Sequence, residues 1–441
     1  MSTNLADQAR AAGVVGAGGG GFPAHVKLAA RADTVIANGA ECEPLLHKDA
    51  AVMERHPDRL VHGLLLCAEA VGAADAVVAV KAKNKHAVEI MQAACAGTKA
   101  RVHLLGDYYP AGDEYDLVYG VTNRLIPPAG LPKDVGVLVQ NVETLVNISH
   151  AAEGRPVTRK TLTVAGAVRE PVTIEVPVGT PFRACLEAAG GVTVSDPVLF
   201  LGGLMMGGMT TDLDQPVTKT TGGVIVLPRD HPVAARKLKP ATIQAAIGKS
   251  ACDQCRYCTE FCPRYLLGYP VEPHQVMRTL GFTASGADKF NEWAALCCSC
   301  GLCTLFACPE ELFPKEACDD AKVALRKAGW KWTGPTRVEP HPMHDGRRVP
   351  IRRLMRRLDV ERYDHPAPFA EVSLTPDRVR LPLRQHAGAP AQPAVAAGES
   401  VAEGQAVARP APEALGAVIH APFAARVEAV ESDSLILARL P

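Results

Sequence analysis

The chain has 441 residues, a length that at roughly 150 residues per domain calls for about three domains. Lysine plus arginine and aspartate plus glutamate each number 47, and a net charge of zero argues against a molecule-wide field for nucleic acid or an anionic membrane. Hydrophobic residues make up 47% and aromatics only 5%, with 38 Gly and 35 Pro, which excludes collagen-like and wholly disordered chains and favours an Ala/Val-rich globular protein with many tight turns.

The 14 cysteines are the outlying number. The start, MSTNLADQARAAG, lacks the continuous apolar segment of a secretory signal, and no later run reaches about 18 uninterrupted apolar residues, so a cytoplasmic protein without a membrane span is expected. In a reducing compartment, clustered thiols point to metal and scattered ones to small core residues.

Residues 1–150 alternate strand-like and helical runs. Val35-Ile36-Ala37 and Ala76 to Val80 read as buried parallel strands and Leu60 to Val71 as the helix between them, an α/β domain opened by a short helix over 4–12. Within it, Gly16-Ala17-Gly18-Gly19-Gly20-Gly21 contains G-x-G-x-x-G, whose glycines let backbone N–H groups approach a phosphate, with Lys27 as a nearby positive charge. A plain flexible turn is the alternative. Thr34 to Ala37 then forms a strand that delivers Asn38, Glu41 and Glu43 to the carboxyl edge where α/β sheets bind ligands. Only Val14-Val15 precedes the glycines, so the loop is a phosphate-binding type other than the dinucleotide fingerprint.

Residues 155–235 change to short alternating runs such as Leu162-Thr163-Val164 and Thr173 to Val176, with one helix near Pro181 to Ala189, a small sheet with one helix. Residues 240–335 carry the cysteines. Cys252-x2-Cys255-x2-Cys258-x3-Cys262-Pro263 is the bacterial ferredoxin run, in which the fourth cysteine ligates the other cluster. Cys297-x2-Cys300-x2-Cys303-x4-Cys308-Pro309 repeats it with one extra residue. The crossed rule assigns Cys252, Cys255, Cys258 and Cys308 to one [4Fe–4S] cluster and Cys297, Cys300, Cys303 and Cys262 to the other. Paired structural zinc is the alternative; two runs of four exceed what one tetrahedral zinc needs. Cys298 is left out because it makes a C-x-C pair with Cys300, and Cys67, Cys95, Cys185 and Cys318 read as isolated core residues. A helix-like stretch joins Cys262 to Cys297, which implies a helical two-cluster module.

Residues 336–372 read as a basic helical linker, with Arg352, Arg353, Arg356 and Arg357 on one side of a helix and Leu354, Met355 and Leu358 on the other; a solvated face is the default and an acidic partner the alternative. The end, 373–441, is rich in Ala, Pro and Gly, yet Val395, Val401 and Val407 recur evenly with Gly398 and Gly404 between them, which predicts a small all-β domain in place of a linker.

GAGGGGFPAHVK, NGAECEP at 38–44, YPAGDE at 109–114 and QNVETLVNI at 140–148 resemble the flavin and NADH domain shared by RnfC electron-transport subunits, the NADH-binding flavoprotein subunit of complex I and the PduS-type cobalamin reductases. GGLMMGG at 202–208 resembles the family's β-grasp (SLBB) domain, and RLPLRQHAGAP at 380–390 through HAPFAARVEAV at 420–430 its barrel-sandwich, lipoyl-like domain. The glycine loop near the start and the barrel-sandwich segment last match the order of PduS-type proteins. The fold implied is multidomain α/β and α+β: a Rossmann-like FMN/NADH domain, the β-grasp domain, the helical two-[4Fe–4S] domain and the C-terminal barrel-sandwich domain.

The resemblance implies non-covalent FMN surrounded by Gly16, Gly18, Gly19, Lys27, Asn38, Glu41, Glu43, Asn141 and Thr144, with Gly112, Asp113 and Glu114 near flavin and nicotinamide. It implies NADH as electron donor, no covalent nucleophile, cobalamin as acceptor, and a bacterial microcompartment as setting, with an adenosyltransferase and a shell protein as partners. An RnfC-like subunit feeding a ferredoxin, quinone or membrane partner is the runner-up, and a docking scaffold the reading from another class. His420 to Val430 lacks an acceptor lysine, so the tail should carry no lipoyl or biotinyl group.

Overall fold

The computed structural model describes residues 4–281 and 291–441; part of the helix-like stretch expected between Cys262 and Cys297 lies outside them, and its described part contains the helix Pro273–Thr279. In the N-terminal region, strands β1 (Thr34–Gly39), β2 (Asp75–Lys81), β3 (Ala100–Leu105) and, after the short β4 (Tyr108–Tyr109), β5 (Val137–Asn141) build a parallel sheet in the order β3-β2-β1-β5. Its strands are apolar on both faces because both are covered: Val35, Ala37, Val78 and Val80 pack toward the helices Pro57–Val71 and Val142–Ala152, while Ile36, Val77, Ala79 and Val139 fill a second core on the opposite face. The chain winds outward from β1 through β2 to β3 and returns to the other side of β1 as β5. That reversal opens the β1/β5 crevice at the carboxyl ends, where open α/β sheets hold ligands.

Strands β6 (Arg159–Gly166), β7 (Val172–Pro177), β8 (Pro197–Leu201), β9 (Gly208–Thr210) and β10 (Gly223–Pro228) form a mixed sheet in the order β7-β6-β10-β8-β9, with β6 and β10 parallel and the helix Phe182–Ala188 packed on its apolar face through Phe182, Cys185 and Leu186. The cysteine region is a set of short helices, among them Tyr257–Glu260, Pro263–Leu266 and Pro314–Lys327.

The segment expected as a linker, 336–372, is packed instead. Val349–Pro350 pairs antiparallel with β4, and Ile351, Leu354, Met355 and Leu358 of the helix Ile351–Arg357 join a core shared with Cys300, Leu302, Leu204 and Met205. The four arginines of that helix face solvent, as their spacing predicts; Arg352 and Arg356 pair with Glu361, and Arg357 with Glu311. Further on, Phe369 bridges to Thr173 at the edge of β7. The tail is folded: strands between Arg378 and Arg439 make a four-stranded and a three-stranded sheet around Val379, Leu381, Val401, Val407 and Val427. No helix among the described residues is long and apolar enough to cross a membrane.

Candidate functional site

Asn38 and Asn141 stand opposite each other in the register of β1 and β5, at the mouth of the crevice. Asn38 donates to the Gly112 carbonyl at 3.1 Å and accepts from the Ala40 amide, tying the strand end to the loop after Pro110. Asn141 caps the helix Val142–Ala152 by accepting from the Glu143 amide, and its Nδ2 donates to Asp49 at 2.9 Å. Above them lies a cavity of about 910 Å³, near the upper end of the roughly 300–1,000 Å³ usual for cofactor sites.

The glycine loop forms one wall. Gly16 closes it, its amide donating to Phe22 and its carbonyl accepting from Gly21, and Thr144, fully buried, accepts from the Ala17 amide at 2.9 Å. Gly16 and Thr144 therefore shape the loop without lining the cavity, whereas Gly18, Gly19 and Gly20 line it. Among the described residues the amides of those three glycines have no hydrogen-bond partner, and a Cβ at Gly19 or Gly20 would meet nothing. Unpartnered N–H groups around open space fit a phosphate oxyanion, the anchor that FMN offers.

Lys27 is placed otherwise than its spacing suggests. It is absent from the cavity wall, and its ammonium donates to Glu114 Oε1 at 2.9 Å and to the Val139 carbonyl at 3.0 Å. It neutralises a carboxylate at the rim.

The carboxylates of the wall differ in state. Burial, then the neighbouring Asp49, pushes Glu41 up to about 8, so it carries a proton at neutral pH. Glu43 is likewise raised by burial, but its oxygens accept from the Met205 and Met206 amides at 2.9 and 2.8 Å, clamping the 202–208 loop of the second, mixed sheet onto the N-terminal domain. That clamp needs Gly203, where a Cβ would lie 2.2 Å from the Glu43 carboxyl carbon. Asp113 receives Arg264 at 2.8 Å, a pair with side chains only 12% and 9% exposed. Beneath the wall, Glu143 is shared by Lys48 and Lys160; burial alone would raise it, and the two ammoniums hold it below the usual carboxylate range. Cys42, beside Gly112, is pushed by burial up to about 12 and stays a thiol.

Lys48, Asp49, Glu143, Lys160 and Arg264 escaped the sequence reading. Glu143 lies within the QNVETLVNI motif and Lys48-Asp49 four residues after NGAECEP, so proximity to the motifs was the available signal.

The cysteines separate as two groups. Cys252, Cys255, Cys258 and Cys308 surround one small pocket. In the other group, Cys262 is raised by burial and then by Cys297, and Cys300 by contact with Cys298, then burial, Cys262 and Cys303. Among the described residues no three His, Cys, Asp or Glu side chains converge as ligands of one metal ion would. Four thiols spread around a space suit a cubane, in which each cysteine takes its own iron. Cys298 and Cys300 also line the cavity above Asn38 and Asn141, a contact the sequence did not disclose. Cys67 and Cys185 are fully buried and Cys95 nearly so, as expected of core residues, while Cys318 is not isolated: its thiol touches Cys297.

Residues 9–150 match the Nuo51 FMN-binding domain, 161–209 the SLBB domain, 251–313 a 4Fe-4S dicluster domain and 366–438 the RnfC barrel sandwich hybrid domain. The chain is 42% identical over 99% of its length to cobalamin reductase PduS of Citrobacter freundii, covering 96% of that protein. It belongs to the PduS cobalamin reductase family. The PduS of Salmonella typhimurium is 42% identical over the same share of both chains. One subunit of the proton-translocating ferredoxin:NAD(+) oxidoreductase complex of Clostridium ljungdahlii is 36% identical over 58% of this chain and 55% of its own length. The PduS-family chain is thus an electron-transfer oxidoreductase with FMN and iron–sulfur clusters, and its domain types are those the motifs predicted.

Proposed function

We propose that the protein is an NADH-dependent reductase that passes single electrons to cobalamin, reducing cob(III)alamin or cob(II)alamin. The observation that carries the redox part is the presence of Cys298 and Cys300 in the lining of the same cavity that Gly18, Gly19 and Gly20 line. Bound flavin supplies the conversion between hydride transfer and one-electron transfer that joins NADH to iron–sulfur clusters. The acceptor assignment is supported by the identity to two cobalamin reductases over nearly the full chain.

The chain's own residues hold and shield. Gly18, Gly19 and Gly20 present their amides to the FMN phosphate on a loop closed by Gly16 and propped by Thr144. Asn38, Asn141 and the Gly112 turn set the floor, with neutral Glu41 beside it. Glu43 clamps the β-grasp loop that closes one side, and Asp113 and Glu114 order the nicotinamide edge through Arg264 and Lys27. Cys297, Cys300, Cys303 and Cys262 would hold the cluster nearer the cavity that Cys300 lines, and Cys252, Cys255, Cys258 and Cys308 the farther one, where Cys255 is exposed.

The setting proposed is a propanediol-utilisation microcompartment in the cytoplasm, with its shell protein and adenosyltransferase as neighbours. Purified protein carrying FMN and clusters is tested anaerobically with NADH and cob(III)alamin or cob(II)alamin. Loss of the starting corrinoid spectrum is expected; an unchanged corrinoid beside fully reduced protein would reject the acceptor and leave a ferredoxin or membrane partner.

A further inference from the structure

We propose that the C-terminal barrel-sandwich domain supplies a phosphate-binding cation to the flavin cavity, and that this cation is Arg384. The proposal rests on the nucleotide reading of the cavity given above. Among the described residues, three Lys and Arg side chains line that cavity: Lys48, Arg380 and Arg384. Lys48 is 2% exposed and shared between Asp49 and Glu143. Arg380 is paired with Glu431 and Asp433, each at 3.2 Å. Arg384 is exposed to the cavity, donates once, to the Gly388 carbonyl at 3.1 Å, and has no carboxylate partner among the described residues.

The wall it faces is short of positive charge. Glu41, Glu43, Asp49, Asp113 and Glu114 all line the cavity, and Lys27, the cation expected from sequence, is outside it on Glu114. With Glu41 protonated and the Asp49, Asp113 and Glu114 carboxylates taken up by Lys48, Arg264 and Lys27, those three cations are already engaged, whereas the free Arg384 guanidinium offers paired donors in the plane that phosphate oxygens accept.

The segment that carries Arg384 is bonded to the glycine loop. The Ala387 amide donates to the Gly21 carbonyl at 2.9 Å, and a Cβ on Gly21 would come 3.2 Å from the His386 Cα, so Gly21 is the residue that lets the two loops touch. The adjoining Gln385 accepts from the Lys219 amide, and the buried Lys219 ammonium donates at 2.7 Å to both Gly13 of the flavin domain and Val418 of the tail. Three domains are stitched together one residue from Arg384. Thr218 and Thr220, whose hydroxyls are 3.1 Å apart, line the same corner and add neutral donors.

The phosphate belongs either to FMN or to the pyridine nucleotide; the recognition chemistry is the same and the experiment separates them. Wild-type holoprotein is compared with Arg384→Gln and Arg384→Lys for two quantities: the Kd of FMN, read by flavin fluorescence on dilution, and the KM for NADH in anaerobic reduction of the bound flavin. Arg384→Gln is expected to raise one of them about tenfold, and Arg384→Lys to recover part of the loss. A rise in the FMN Kd assigns the flavin phosphate, and a rise in KM the dinucleotide. Both constants within about twofold of wild type in Arg384→Gln, less than one hydrogen bond to a charged group is worth, would overturn the proposal. Wild-type flavin that NADH fails to reduce would count against the donor, while the FMN arm would still decide the role of Arg384.

Discussion

The hydroxyl of Tyr109 donates to the carbonyl of Cys300 at 2.7 Å, with both residues buried, so the loop that carries Gly112 and Asp113 is bonded directly to the second cysteine run. Tyr109→Phe removes the donor and leaves a buried carbonyl unpaired. The expected cost is about 1–3 kcal/mol, measured as a lower denaturation midpoint of the anaerobic holoprotein. NADH-driven bleaching of the clusters should slow while flavin bleaching does not; equal slowing of both would contradict the placement of Cys300 between them.

A second link joins the same loop to the first cysteine run. Arg264, directly after Cys262-Pro263, lies 3.5 Å over the Tyr115 ring and pairs with Asp113. Arg264→Met leaves a carboxylate buried alone and should destabilise by about 3–5 kcal/mol, because breaking a buried pair costs more than the pair itself contributes. Asp113→Asn combined with Arg264→Met should lose less than the sum of the singles. Additive losses in the double-mutant cycle would show that the pair is not coupled.

Crossed ligation makes a specific forecast for the cysteines. Cys308→Ala should abolish the same cluster EPR signal as Cys252→Ala, and Cys262→Ala the same signal as Cys300→Ala, each variant retaining about half of the iron of the wild type. A Cys308→Ala spectrum that matched Cys300→Ala would contradict the grouping seen around the distal pocket.

Glu41 gives the site a pH dependence of known sign. Its pKa is raised to about 8 in the folded protein, so the native state holds a proton that the unfolded chain releases near the ordinary carboxylate value. Stability contributed by the neutral carboxyl is present at low pH and is lost as pH rises through 8. Glu41→Gln, which cannot ionise, should gain on wild type as pH rises from the ordinary carboxylate value of about 4.5 to about 8, and hold that gain above it, in thermal unfolding of the flavin-free protein. Parallel melting curves across that range would contradict a protonated Glu41.

What the sequence made legible was local. The cysteine spacing and the glycine run carry their chemistry in consecutive residues, and the strand Thr34–Gly39 ends where its apolar run stops, so Asn38 and Glu41 could be set at the sheet edge. The even recurrence of Val395, Val401 and Val407 marked the tail as folded despite its Ala/Pro composition. What stayed hidden was every partner distant in sequence. Spacing gave Lys27 to a phosphate because nothing in a linear string shows that Glu114 captures it. Arginine-rich composition made 336–372 a linker, although its apolar positions were correctly placed on one helix face, because their partners lie around Cys300 and Leu204. Glu143 reads as an ordinary first-turn acid of its helix until the fold brings Lys48 and Lys160 to it.

The electron path from NADH through flavin and clusters to a corrinoid is decided by anaerobic titration of the holoprotein with NADH, followed by EPR, with and without cobalamin. Two [4Fe–4S] signals should grow with NADH when cobalamin is absent, and in its presence they should stay suppressed until the corrinoid is consumed. Clusters that remain oxidised when NADH has fully bleached the flavin would contradict that path.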